Sequence, residues 1–458
     1  MFHTDTIAAI STGMTSSGIG IVRLSGPDAV AIADKVYDSR SGKKLEDMPT
    51  HTIHYGFIRD GEEFIDEVLV MLMRGPRSFT AEDTVEINCH GGVYAMNRIL
   101  ELVIRKGARP AQPGEFTKRA FLNGRIDLSQ AEAVIDVINA KNEYALKSSV
   151  SQLKGSVLKV IREIREKMIY HIAYIESALD DPEHISVDGY PQQLEEQTNM
   201  WKEKLQTLIA SSENGKRMKE GITTVIVGKP NAGKSSLLNV LLGEERAIVT
   251  DIAGTTRDVL EEQMSMSGIS LNIIDTAGIR NTEDVVEKIG VKKAKSYAKD
   301  ADLIIYVVDS STQLDENDEE IIELIRDRKA IVLLNKADLD PVTTEAQIKE
   351  RLDKPVISVS AKEEQGLDQL ELTVKNMFYD GKISFNDEIY ITNIRQKAAL
   401  TEALESLNQV SESIQNQMPE DFFSIDLMNA YEELGSITGE TVGEDLVNEI
   451  FSKFCMGK

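Results

Sequence analysis

An apolar strand, Val225-Ile226-Val227, runs straight into Gly228-Lys229-Pro230-Asn231-Ala232-Gly233-Lys234-Ser235, and no other segment constrains the fold as tightly. The spacing is G-x-x-x-x-G-K-S, in the strand–loop–helix setting that a phosphate-binding loop requires. Its glycines let backbone N–H groups curl around phosphate oxygens, and the helix that follows points its positive end at them. Lys234 is placed to reach β- and γ-phosphates, and the Ser235 hydroxyl to ligate Mg²⁺.

Three further elements follow in order, each closing a predicted strand. Leu271-Asn272-Ile273-Ile274 ends in Asp275-Thr276-Ala277-Gly278, whose carboxylate suits a water-bridged metal and whose glycine amide suits a γ-phosphate. Ala330–Leu334 ends in Asn335-Lys336-Ala337-Asp338, and Pro355–Val359 in Ser360-Ala361-Lys362. Asp338 offers two acceptors to guanine N1–H and its exocyclic amine, a pairing adenine cannot make, and a buried site left unpaired rejects such an analogue. The backbone at Ser360 and Ala361 suits guanine O6. Strand ends of this kind are where ligand sites of open α/β sheets lie. The chain is therefore expected to bind GTP.

Between the first two elements lies Thr250-Asp251-Ile252-Ala253-Gly254-Thr255-Thr256-Arg257-Asp258. One threonine, here Thr256, is expected to complete the Mg²⁺ shell, and a loop ordered by metal and γ-phosphate makes a switch. Many GTPases place a water-orienting glutamine directly after D-x-x-G. Ile279 stands there instead, which leaves Glu283, Asp284 and Glu287 as candidates that spacing does not separate.

At 458 residues the chain is too long for one ordinary domain, with domains averaging about 100–200 residues. Short β-rich runs (Gly20–Leu24, Glu67–Leu72, Thr84–Ile87) and a helical run from Val93 to Lys106 predict a compact α+β domain over 1–120. Ser129 and Glu132 have capping-box spacing and predict a helix start there. Beyond it, Leu146, Val150, Leu153, Val157, Ile161, Ile164, Met168, Ile172, Ile175 and Leu179 recur in steps of three and four, one face of a long helix ended by Asp180-Asp181-Pro182. A second helix is expected from Pro191 to Lys219. Helical periodicity resumes at Ile394, with later segments near Ile425–Leu434 and Glu444–Phe454. The reading is a helical domain in two parts, 121–219 and 379–458, around an inserted nucleotide domain over 220–378 with a doubly wound sheet.

Composition narrows the partners. A net charge of −25 is the reverse of the basic footprint with which a protein grips nucleic acid unaided, so a basic partner is expected to supply much of any such grip. Two cysteines, Cys89 and Cys455, exclude a disulfide scaffold and suit a reducing interior. No stretch nears the roughly 18 uninterrupted apolar residues of a membrane span. No signal peptide is evident, and a cytoplasmic location is expected.

Beyond the GTP motifs, the run Arg119-Ala120-Phe121-Leu122-Asn123-Gly124-Arg125-Ile126-Asp127-Leu128, with Gln130-Ala131-Glu132-Ala133, and the ending Phe451-Ser452-Lys453-Phe454-Cys455-Met456-Gly457-Lys458 are distinctive. With them, and with Gly228–Asn239 and Asp251–Asp258, the chain resembles the MnmE (TrmE) family of tRNA-modification GTPases over essentially its whole length. The resemblance implies a multidomain α/β protein: an N-terminal α+β folate-binding and dimerisation domain, an all-α helical domain and an inserted Ras-like P-loop GTPase domain. It implies a homodimer whose GTPase domains pair across their nucleotides, with K⁺ bound by Asn231, Thr250, Ile252 and Thr255. It places the water-orienting glutamate at Glu287 and extends the GTP contacts along Asn231–Ser236 and Thr250–Thr256. A tetrahydrofolate derivative, in its 5-formyl or 5,10-methylene form, would be held by Arg23, Glu86, Arg125 and Lys458. Arg125 stands where some members carry lysine, which keeps the charge but changes hydrogen-bond geometry.

The activity so implied is K⁺-stimulated GTP hydrolysis that drives modification at C5 of the wobble uridine of certain tRNAs. An FAD-dependent partner of the glucose-inhibited division type would join in a heterotetramer or larger complex. Cys455 reads as structural or ligand-lining rather than nucleophilic, since only Lys453 and Lys458 are at hand to lower its pKa. His90 reads as a hydrogen-bonded turn residue. The alternatives are an RNA-docking GTPase of ribosome assembly, which predicts a basic appendage where the acidic segment 379–458 stands, and a one-carbon transferase regulated by its GTPase domain.

Overall fold

The computed structural model describes residues 5–40, 42–243, 261–266, 269–274, 301–379 and 389–458. In chain order these form β1 (Ile7–Ile10), β2 (Ser17–Ser25), α1 (Ala29–Asp34), β3 (Tyr37–Ser39), β4 (Thr52–Asp60), β5 (Glu63–Met73), β6 (Thr84–Gly91), α2 (Val93–Arg105), β7 (Arg109–Pro110), α3 (Glu115–Leu122), α4 (Leu128–Ile138), α5 (Glu143–Leu153), α6 (Ser156–Asp180) and α7 (Tyr190–Glu220). There follow β8 (Ile222–Val227), α8 (Lys234–Leu241), β9 (Glu261–Met266), β10 (Ile269–Ile274), β11 (Leu303–Asp309), α9 (Glu316–Ile325), β12 (Ala330–Asn335), α10 (Glu345–Lys349), β13 (Val356–Ser358), α11 (Leu367–Tyr379), α12 (Ile394–Gln415), α13 (Glu420–Thr438) and α14 (Glu444–Ser452).

The chain divides into two compact units. One comprises Met1–Ile138, Val150–Glu203 and Ala398–Lys458, the other Asn139–Ser149 and Lys204–Lys397. In the first, a seven-stranded sheet has the order β3-β4-β5-β6-β2-β1-β7, antiparallel except between β1 and β7. Alternation decides its faces. Val22, Leu24, Val68, Val70, Leu72, Val85 and Ile87 point into a core with α1 and α2. Arg23, Leu69, Met71, Glu86 and Asn88 fall on the opposite face, because side chains alternate along each strand and Arg23 pairs in register with Glu86, and Glu86 with Met71.

The helices of this unit form a second core. Val157, Ile161, Ile164, Met168, Ile172 and Ile175 are buried along α6, which packs on α13. There the Arg165 guanidinium lies 4.0 Å from the Tyr431 ring centroid and donates to the Tyr431 carbonyl at 3.1 Å. Ala120, Ile126, Leu128 and Ala131 meet Val447, Phe451 and Phe454, which draws the C-terminal helix onto α3 and α4.

Two expectations are corrected. The apolar stripe from Leu146 to Leu179 is not one helix: it breaks between α5 and α6 at Gly155, whose φ of +86° no continuing helix allows. Leu146 and Leu179, at the two ends, are exposed. The capping box sits two residues earlier than Ser129–Glu132. Asp127 Oδ1 accepts from the Gln130 amide at 3.2 Å, and Gln130 Oε1 accepts from the Asp127 amide at 3.0 Å. Asp127 Oδ1 also takes the Ser129 amide and hydroxyl, so the serine supports the cap rather than forming it.

In the second unit the sheet order is β13-β12-β11-β8-β10-β9, parallel throughout except for β9. Both faces are covered. Ile226, Leu271, Ile273, Ile305, Val307 and Leu333 pack with α8 and α11 on one side, and Val225, Val227, Ile304, Tyr306, Val332 and Leu334 with α9 on the other. This is why β11 and β12 are buried at every position and read as unbroken apolar runs. Strand order reverses about β8, so the crevice beyond its carboxyl end is the switch point where such sheets bind ligands.

Candidate nucleotide and N-terminal sites

The phosphate loop leaves β8 at that switch point. Gly228 has φ +153°, and a Cβ there would lie 2.3 Å from the Val307 carbonyl, so only glycine lets the loop leave this close to β11. Asn231, at φ +61°, and Gly233, at φ +93°, complete the curl, and Lys234 opens α8. The Lys234 ammonium donates to the Gly228 and Lys229 carbonyls at 2.8 and 2.6 Å, which holds it over the loop. Ser235 and Ser236 follow in the first turn of α8, where the positive end of the helix favours an anion.

Asn335 staples three pieces together. Its Nδ2 donates to the Ala232 carbonyl at 2.8 Å and its Oδ1 accepts from the Ala361 amide at 3.1 Å. A Cβ at Gly233 would sit 2.1 Å from the same amide nitrogen, which explains why glycine stands there. Asn335 is 2% exposed, and both ends of its side chain are engaged by the protein.

Beside it, the exposed Asp338 carboxylate accepts from the Ser360 hydroxyl at 2.7 Å. That bond, with help from nearby backbone and lysines, holds its carboxyl below the ordinary range, so an ionised acceptor faces solvent. Lys336, at φ +63°, pairs with Asp309 at 2.5 Å. Burial pushes the Asp309 carboxyl up, but the bonds from Lys336 and Ser311 outweigh it and the net shift is down. The Ala337 amide donates to the Val359 carbonyl at 3.1 Å, which ties the β12 and β13 loops together. The structure thus gathers Asn231, Ala232, Gly233, Lys234, Ser235, Ser236, Asn335, Lys336, Asp338, Ser360 and Ala361 on the carboxyl-end side of one sheet. Thr250–Thr256, Asp275–Gly278, Ile279, Glu283, Asp284 and Glu287 lie outside the described residues.

A second cluster forms in the N-terminal sheet. Arg23 Nε donates to Glu86 Oε1 at 2.8 Å, both side chains being only 14% exposed. The guanidinium lies 5.5 Å from the Phe116 ring centroid and 5.9 Å from that of Phe79, while Arg125 lies 5.1 Å from Phe79 on its own account. The C-terminal tail closes the cluster. The Gly457 carbonyl accepts from Ser11 Oγ at 3.0 Å and from Arg23 Nη1 at 3.3 Å. Lys458 follows directly; burial and the neighbouring Arg23 charge pull its pKa down, with Glu86 and Cys455 pulling the other way. Of the four positions that the resemblance implies, Arg23, Glu86 and Lys458 lie together, and Arg125 joins them through the Phe79 ring it shares with Arg23. Phe79 and Phe116, which carry no local signal, are additions from the fold.

Cys455 is exposed, and its carbonyl accepts from the Gly114 amide at 3.3 Å. Cys89 is buried and donates to the Gly20 carbonyl; burial above all, then Asp66, pushes its thiol up to about 11, which makes it unreactive. His90 lies on strand β6 rather than in a turn, with Nδ1 2.7 Å from Asp66 Oδ1. Arg119, which opens the run that contains Arg125, is wholly buried, bonded to Asp5, Glu82 and Glu115. Among the described residues, no His, Cys, Asp and Glu cluster of three or more could hold a metal ion, and no helix is long and apolar enough to cross a membrane.

Two family models match the chain. That described as "MnmE helical domain" covers residues 128–455, and "GTP-binding protein TrmE N-terminus" covers residues 6–125. Among curated proteins, the chain is 60% identical over 99% of its length to the tRNA modification GTPase MnmE of Lachnoclostridium phytofermentans, all of which is covered. It is 50% identical to that of Clostridioides difficile, with both chains fully covered. It is 46% identical to that of Bacillus subtilis, over 99% of this chain and all of the relative.

Proposed function

Because the chain belongs to the MnmE family of tRNA modification GTPases, we infer that it couples GTP hydrolysis to modification at C5 of the wobble uridine of certain tRNAs. It is a GTP-hydrolysing enzyme of tRNA modification, multidomain and α/β in its nucleotide-binding part. The observation that carries the reading is the convergence of the Lys234 loop with the Asp338–Ser360 pair at the ends of β8, β12 and β13.

In the cycle, backbone amides from Asn231 to Ser236 would enclose the triphosphate, with Lys234 exchanging two loop carbonyls for phosphate oxygens. Asp338 would take the guanine N1–H and amine, its acceptor already ionised. Ser235 and Thr256 would hold Mg²⁺, which neutralises charge between the terminal phosphates. Asn231, exposed at its left-handed turn, and Thr250, Ile252 and Thr255 would hold K⁺, which supplies the positive charge that an arginine finger brings elsewhere. Glu287 would orient water, since Ile279 bears no polar group.

The Arg23–Glu86–Arg125–Lys458 cluster suits a tetrahydrofolate: cations for its glutamate carboxylates, Glu86 for pterin donors, and the Phe79 and Phe116 rings for its flat body. Bound there, the folate would supply the carbon added to the base. We assign 1–120 to the folate-binding domain, 220–378 to the GTPase domain, and 121–219 with 379–458 to the helical domain. The exposed apolar residues Ile19, Ile53, Tyr55 and Leu69 on the open sheet face support a homodimer formed through the N-terminal domain. The acidic balance supports an FAD-dependent partner that supplies much of the tRNA grip, in the cytoplasm.

The test is the state of wobble uridines in a strain lacking the gene and carrying either the natural copy or Lys234→Ala. Modification should vanish in the null strain and return only with the natural copy. Unaltered uridines in the null strain would remove the tRNA reading while leaving GTP hydrolysis to be assayed on the purified protein.

A further inference from the structure

The second residue of the phosphate loop is tied down by two carboxylates, Asp318 buried and Asp315 exposed. Lys229 Nζ lies 2.7 Å from Asp318 Oδ2 and 3.0 Å from Asp315 Oδ2. Asp318 is 1% exposed, and its other oxygen accepts from the Tyr306 hydroxyl at 2.7 Å. The same two aspartates form the capping box that starts α9. Lys229 therefore fastens the loop to the rigid start of a neighbouring helix and to the sheet beneath it. Its backbone carbonyl is meanwhile one of the two that receive the Lys234 ammonium.

From this geometry we propose that Lys229 is a positioning residue for the GTPase reaction: its ion pair with Asp318 and Asp315 holds the first turn of the phosphate loop in its nucleotide-binding shape. Two consequences follow from the physics. A loop whose amides must point inward at a polyanion loses affinity when its conformers multiply, since the ordering cost is then met at binding. Two aspartates without their cation also leave uncompensated negative charge near an incoming triphosphate, and a buried unpaired carboxylate is itself unfavourable. Both effects weaken ground state and transition state alike, so they should appear in KM and in nucleotide release rather than in kcat.

The experiment uses the full-length protein with Lys229→Met, which keeps the stem and removes the charge, and Lys229→Arg, which keeps both. Release of a fluorescent GDP should quicken, and KM for GTP rise, by about five- to tenfold in Lys229→Met, with kcat within about twofold. Lys229→Arg should return both to within about twofold of the natural protein. Lys229→Gln covers the case in which methionine prevents folding, and the same loosening is expected of it. Unchanged GDP release in a folded Lys229→Met or Lys229→Gln protein overturns the proposal, even if its melting temperature falls, because the pair then serves stability alone. A fall confined to kcat, or failure of arginine to restore release, overturns it equally. None of these readouts depends on the tRNA or folate assignments.

Discussion

At the scale of single residues, the base contact proposed for Asp338 can be tested directly. Its carboxylate is solvent-facing and held ionised by the Ser360 hydroxyl, and an ionised acceptor pair matches two guanine donors. Asp338→Asn keeps the shape but turns one acceptor into a donor. It should weaken GTP by at least about tenfold, the loss of one charge-assisted bond of roughly 1.5–3 kcal/mol, and favour xanthosine triphosphate, whose C2 carbonyl accepts what the amide donates. Competition binding with the two nucleotides checks this, and unchanged preference for GTP would remove Asp338 from the base contact. The aspartate was legible because its spacing follows a recognisable strand. The part played by Asn335 was not: an asparagine stapling Ala232 to Ala361 joins positions 103 and 26 apart, and no local pattern encodes such a bridge.

Among elements, the fully buried strands were the most readable, because a sheet covered on both faces needs apolar residues throughout. Helix ends were less so. Apolar residues at steps of three and four continue on both sides of Gly155, so periodicity hides the break that its left-handed φ makes. The start of α4 shows the same weakness, since two overlapping capping patterns exist and only the hydrogen bonds select Asp127 with Gln130. Asp127→Ala removes the acceptor of three N-terminal bonds and should cost about 1–2 kcal/mol. Urea unfolding of the full chain, compared with the natural protein, measures it; a midpoint left unmoved would return the cap to Ser129.

For the molecule as a whole, the last residues complete a site begun near the first. Gly457 lies against β1 at φ +80°, where a Cβ would stand 2.3 Å from the Ile10 carbonyl. Its carbonyl is a partner of Arg23 at a separation of 434 positions. Gly457→Val should lift the tail from the sheet. The strain of a side chain in this backbone region, about 1–2 kcal/mol before any clash, corresponds to roughly tenfold weaker binding of the tetrahydrofolate proposed for this site. GTP turnover should stay within about twofold, because the nucleotide loops belong to the other compact unit. Calorimetry with a tetrahydrofolate, alongside GTP turnover of the same preparation, tests both halves; undiminished folate binding would detach the tail from the site.

What the amino-acid sequence determined alone is whatever short-range chemistry dictates. Glycines at Gly228 and Gly233 permit a phosphate loop, Lys234 and Asp338 supply charge at fixed distances from strand ends, and apolar periodicity names the layers. What only the tertiary structure decided is which distant side chains share a site: Phe79 and Phe116 with Arg23, Lys229 with Asp318, and the C-terminal tail with β1. Local patterns record a chain's dealings with its near neighbours. A pairing across hundreds of residues is chosen by the packing of whole elements, and leaves no period to read.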